Sequence, residues 1–160
     1  GLYGGFPTAE NAMSIAHEVF AAEGVSVEVE VDGDESLEEF SEMGGEMLAA
    51  LHGDRGTKGY ASPDNPTTGG LYTMAIQYGY GWLWHRAGLD RRQRMICAVA
   101  SFTVLRLDSQ LQKFGQSALN VGLTKEEVVE AVMQTAPYGG FPPALNALAA
   151  LDEAFSLPAN

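Results

Sequence analysis

The chain has 160 residues, 46% of them apolar and 19% charged, which is globular composition and enough length for one hydrophobic core. Its formal net charge of −12 argues against nucleic acid or an anionic membrane as partner, since both need a basic footprint, and an anionic small molecule would need a locally positive pocket. The single cysteine, Cys97, excludes an intramolecular disulfide and a Cys-x-x-Cys pair and fits a reducing, cytoplasmic setting.

Pro7 and Thr8 open a first helix that ends near Gly24, with proline in the first turn and glycine at the far end. Residues 25–31, VSVEVEV, alternate at period two, but no second strand is available to pair with them, so an extended acidic linker is expected. Ser36 with Glu39 forms a capping box for a helix towards Leu51, which Gly44-Gly45 could break. Residues 53–67 read as a loop by composition. A helix from about Gly70 to Trp84 follows, and Asp90 with Gln93 caps the next, whose apolar stretch from Met95 to Leu105 belongs in the core but is too short to cross a bilayer. Asp108 opens another helix that stops at Asn120-Val121-Gly122. Thr124 with Glu127 caps one that runs to about Ala136, and the last begins at Pro142 or Pro143. The expected fold class is all-α.

One segment occurs twice. GLYGGFPTAENAMSIAHEVF at residues 1–20 aligns without gaps on APYGGFPPALNALAALDEAF at residues 136–155, with ten identities in twenty positions. Tandem duplication explains this better than a solenoid, whose short repeats occur three or more times. The expected organisation is a C-terminal remnant of a first unit at 1–23, an acidic linker at 24–35 and one complete domain at 36–156. No basic stretch followed by an apolar one opens the sequence, so no signal peptide is expected, and Gly1 in place of Met fits a trimmed product.

Gly45-Glu46 through His52-Gly53, Tyr80-Gly81-Trp82-Leu83-Trp84, Arg86-Ala87-Gly88-Leu89-Asp90 with Arg94, Ala118 to Thr124 with Glu127, and Gln134 to Asn146 form an ordered set of motifs. In order and spacing the set resembles the carboxymuconolactone decarboxylase family, relatives of the AhpD-type thiol proteins. The resemblance implies a helical fold that assembles as a homo-oligomer, with sites between packed helices. AhpD-type members carry Cys-x-x-Cys where this chain has Leu107-Asp108-Ser109-Gln110, and Cys97 lies one helix earlier, so thiol-peroxidase chemistry is not expected. The decarboxylase branch carries Glu-Leu-x-x-His on the same helix, and the matching positions here are Gln110, Leu111 and Phe114. Neither an amide nor a phenyl ring exchanges protons near neutrality.

Several residues remain as candidates, each with a structural alternative. Arg86 and Arg94 match basic positions of the family and suit a clamp for a carboxylate or lactone oxygen, or they bond loop carbonyls. His85 is the candidate for proton transfer because imidazole titrates near neutrality, or it is a half-exposed residue at a helix end. His52 reads as a residue interacting with the C-terminus of its own helix, and His17 as a surface residue. Tyr80 and Trp84, alternating with Tyr78 and Trp82, form either an aromatic wall for a flat ligand or packing surface, and Phe114 takes the place of the family imidazole. Tyr138 and Gly139, at the start of the final helix, could present backbone N–H groups to an oxyanion or make a tight turn. The acidic stretch from Glu28 to Glu46 lacks calcium-loop spacing and no His, Cys and carboxylate spacing suits a metal, so neither metal nor organic cofactor is expected.

The expected function is a small-molecule enzyme acting on an unsaturated lactone or ketone by decarboxylation, isomerisation or cyclisation, with Arg86, Arg94 and Gln110 polarising the substrate. Two alternatives stay open. One is a non-catalytic oligomeric binding or partner subunit that kept the fold. In the other, the missing part of the first unit travels on a separate chain.

Overall fold

In a computed structural model that describes residues 1–28, 33–58 and 61–156, three capping boxes start helices where the sequence marks them. Ser36, Asp90 and Thr124 each accept a hydrogen bond from the backbone N–H three residues on, and Glu39, Gln93 and Glu127 reach back to the cap backbone. These reciprocal bonds satisfy N–H groups that a helix start leaves without intrahelical partners.

The chain divides into two compact units, Gly1–Gly33 and Asp34–Asn160. The first holds α1 (Phe6–Ala22), in which no residue is fully buried. Residues 25–28 have no regular structure, and 29–32, the remainder of the period-two segment and the turn after it, lie outside the described residues.

The second unit holds α2 (Leu37–His52), a 3-10 turn (Gly53–Thr57), α3 (Gly69–Met74) and a π-helix (Ala75–Leu83) that continues α3. Then come α4 (Arg91–Val104), α5 (Asp108–Asn120), α6 (Lys125–Met133), the single turn α7 (Ala136–Gly139) and α8 (Phe141–Ser156). Among the described residues there is no strand, and no helix is long and apolar enough to cross a membrane. The two copies of Tyr-Gly-Gly-Phe-Pro share one backbone device. Their second glycines, Gly5 at φ 84° and Gly140 at φ 101°, take the left-handed conformation that only glycine adopts without strain, just before α1 and α8.

α2 lies along the π-helix, α5 packs on α2, α4 and α8, and α4, α6 and α8 complete the bundle. Met95, Val99, Leu111, Val128, Val132 and Leu151 are fully buried at its centre, each contributing roughly 1.5–3 kcal/mol by leaving water. α5 is thus the element joining the α2–π-helix pair to the bundle.

Two expectations are refined. α2 runs unbroken through Gly44-Gly45, and the segment after α3 winds as a π-helix. The backbones of α2 and the π-helix approach closely at two places. A Cβ on Gly44 would lie 2.4 Å from the Ile76 carbonyl oxygen, and one on Gly81 would lie 2.1 Å from the Phe40 carbonyl oxygen. Gly45 faces open space. Neighbouring glycines of one helix should therefore respond oppositely to alanine. Gly44→Ala is expected to destabilise by about 1–3 kcal/mol through overpacking, and Gly45→Ala to stabilise by about 0.5–1 kcal/mol through helix propensity, as read by urea midpoints. Equal effects at both positions would overturn the packing argument.

Candidate active site

The buried stripe of α2 is Gly44, Met47, Leu48, Leu51 and His52, the spacing of one helical face. His52 ends that stripe 8% exposed, with its imidazole inside the protein rather than over its own helix end. Gly53, at φ 56°, turns the chain into the 3-10 segment that carries Arg55.

Both ring nitrogens of His52 have partners. Nδ1 lies 2.6 Å from Ser117 Oγ and Nε2 lies 3.1 Å from the Tyr80 hydroxyl. Ser117 donates its own proton to the Lys113 carbonyl, so its oxygen accepts from Nδ1–H and, at 3.4 Å, from the Arg55 guanidinium. With Ser117 donating to the Lys113 carbonyl, Nδ1 carries the imidazole proton and Nε2 accepts from Tyr80 O–H. Burial, aided by the charge of Arg55, pulls the imidazole down to a pKa of about 4, so His52 is neutral at pH 7. Phe114 stands edge-on to the imidazole at 4.8 Å, and Trp84 stacks on Tyr80 at 6.4 Å.

Phe114 and Ser117 are three residues apart on α5 and so share a face, while Tyr80 reaches His52 from the π-helix, a helix type that recurs at functional sites. An inner cavity of about 370 Å³ opens beside them, lined by His52, Arg55, Lys58, Tyr80, Lys113 and Phe114 among others. A second, outer cavity of about 700 Å³ shares His52, Arg55 and Lys58 and adds Gln116, Asn120, Lys125 and Phe155. All three lysines of this acidic chain, together with Arg55, therefore line the two cavities that flank one imidazole.

The candidate residues read from the sequence fall into two groups. Tyr80 and Phe114 stand against His52, and Trp84 stacks on Tyr80. The others lie elsewhere. His85 Nδ1 donates to the carbonyls of Tyr80 and Gly81, closing the π-helix. Arg94 bonds the carbonyls of Leu83, Arg86 and Ala87, so its guanidinium holds the loop before α4 together. Arg86 lies over the Trp82 ring at 4.9 Å, and Gln110 accepts from Ser109. Tyr138 is 88% exposed beside an open groove with Val104, against which Gly139 packs. Among the described residues no group of three His, Cys, Asp or Glu side chains is placed to hold a metal.

His52, Ser117 and Arg55 are the residues that sequence reasoning passed over. The available signal was the position of His52 on the apolar stripe of α2, where an imidazole faces the core and needs polar partners.

With this geometry in place, comparison with known proteins finds that residues 70–153, more than half of the chain, match the model of the carboxymuconolactone decarboxylase family. The chain belongs to that family. It is 32% identical to the nitrosuccinic acid decarboxylase of Metarhizium robertsii over 47% of this chain and 52% of that protein. It is 28% identical to the 4-carboxymuconolactone decarboxylase of Acinetobacter baylyi, over 49% of this chain and 59% of the other. An uncharacterized 15.0 kDa protein of Paracoccus denitrificans is 31% identical, over 46% and 56%. The chain spans little more than half the length of these curated relatives. Phe114 occupies the position where the resemblance implies a family imidazole, and the imidazole of His52 lies against it.

Proposed function

We propose that the inner cavity is the active site of a carboxy-lyase that needs no cofactor and acts on a small anionic unsaturated lactone or carboxylate. The observation carrying this reading is the Tyr80–His52–Ser117 chain, walled by cationic side chains in a strongly acidic protein. Family membership supports a decarboxylation, and the names of both characterised relatives denote loss of a carboxyl group.

The roles follow from the geometry. Lys58, Lys113 and Arg55 draw in the anion. Its negative charge opposes that of Arg55 and favours protonation of His52 at Nε2 by a proton from water. The carbon–carbon bond to the departing carboxylate then breaks, carbon dioxide leaves, and the bonding pair stays on the substrate as an enolate. Tyr80 passes its proton to the enolate carbon while Nε2–H passes to the tyrosine oxygen. His52 returns to its neutral resting state, which burial favours, and the sum is one carboxylate plus one proton giving one C–H bond and carbon dioxide. Ser117 holds the tautomer throughout.

The test is direct. Purified protein, with no metal or cofactor added, is incubated with carboxymuconolactone and related unsaturated carboxylates, and released carbon dioxide is measured. Release that increases as the medium is made mildly acidic is expected, because a proton is consumed through His52. Binding without release from any of them would overturn the carboxy-lyase reading. It would favour a non-catalytic binding protein, a reading supported by the replacement of the family carboxylate and imidazole by Gln110 and Phe114.

A further inference from the structure

The outer cavity is not needed for the proton path, yet its walls are chemically specific. Lys125 enters it from the first turn of α6, with Nζ 3.3 Å from the Phe155 carbonyl and 5.2 Å from the centre of the Phe155 ring. Asn120 and Gln116, on the face of α5 towards this cavity, use their amide N–H groups on the carbonyls of Leu51 and Ala154. Arg55 and Lys58 are shared with the inner cavity, and Asp54 at the rim pairs with Lys58 at 3.6 Å.

The geometry points to a carboxylate-binding subsite in the outer cavity, held by Lys125 and Arg55, distinct from the position of the carboxylate that reacts. This deepens the carboxy-lyase reading and rests on it for the identity of the reacting group. A physical constraint favours the separation. A cation paired tightly to a departing carboxylate stabilises the ground state more than the transition state and so slows its loss, whereas a cation holding a second, permanent anion binds both states alike. Lys125 lines the outer cavity alone and is placed to hold such an anion. Arg55 touches both Ser117 and the His52 carbonyl, so an anion resting on it also offsets its charge beside the imidazole. The groups around that imidazole are Arg55 and Lys58 from the turn after α2, Tyr80 from the π-helix and Lys113 from α5.

The subsite carboxylate could be the second end of a dicarboxylate substrate or a free carboxylate. Titration with glutarate and with butyrate, followed by calorimetry and by the His52 imidazole resonances in labelled protein, distinguishes the two. Lys125 is exposed at the start of α6, so Lys125→Gln and Lys125→Glu leave the core untouched and should give a graded loss. If one dicarboxylate spans both cavities, one glutarate binds per chain, about tenfold or more tighter than butyrate, and Lys125→Glu abolishes that advantage. If the outer anion is separate, two butyrates bind per chain and Lys125→Glu removes one of them. Either result supports the subsite. Binding of both ligands with the same affinity and stoichiometry in wild type and Lys125→Glu overturns it, as does no binding of either up to about 50 mM. Binding is read without turnover, so a protein that passes this test and releases no carbon dioxide overturns the reaction assignment and not the subsite.

Discussion

Replacing His52 with glutamine should lower the rate of carbon dioxide release by about 100- to 10,000-fold, the range over which positioned acid–base groups act. Glutamine can still bond Ser117 and fill most of the imidazole volume, so the fold should survive, as a retained cooperative thermal transition would verify. What it cannot do is take up and release a proton. Tyr80→Phe removes the other end of the relay and should cost a comparable factor, while leaving the ring contact with Trp84 in place. Because the two groups pass one proton in series, the double variant should be little slower than either single one. Multiplicative losses would mean that Tyr80 and His52 act independently. Full activity in His52→Gln would return the search to His85, whose imidazole here caps the π-helix.

Much of the fold was legible because helix starts are written locally. A Ser, Asp or Thr with Glu or Gln three residues on needs no tertiary information, and all three capping boxes form. The glycines were harder to read. Gly44-Gly45 has the composition of a break, and only the approach of Ile76 from another segment shows why one of the two must be glycine inside a continuous helix. The π-helix gave no such local signal, and it packs along α2 with Gly81 against the Phe40 carbonyl.

The site was legible in part. Tyr80 and Phe114 stand out by residue type and family position, and both line the inner cavity. His52 did not, because its meaning lies in partners 28 and 65 residues away in sequence. It lies within the motif from Gly45 to Gly53 but outside residues 70–153, the stretch that matches the family model, and its place at a helix end offered an ordinary structural explanation. Arg94 has a structural role that its sequence position does not distinguish from a binding one. A guanidinium satisfies loop carbonyls as readily as it binds a carboxylate, and Arg94 does the former with three of them.

Folding stability should carry the same signature of a buried neutral imidazole. His52 titrates at about 4 in the folded protein against an ordinary 6.5 in the unfolded chain. Between those values the unfolded state binds a proton that the folded state refuses, so stability falls as the pH is lowered. The contribution is fully present above pH 6.5, is lost progressively on going down to pH 4, and amounts to about 3 kcal/mol from the displacement of the pKa. Urea unfolding of the wild type should therefore weaken steadily as the pH falls from 6.5, beginning above the ordinary carboxylate range. His52→Gln should lose most of that slope whatever its absolute stability, since an amide does not titrate. A wild-type protein whose slope matches that of His52→Gln would mean that the imidazole is not held neutral in the fold. A carboxylate ligand seated against Arg55 should flatten the wild-type slope as well. By favouring the protonated form of His52, it narrows the gap between folded and unfolded states, and the same shift prepares the proton that the proposed reaction consumes.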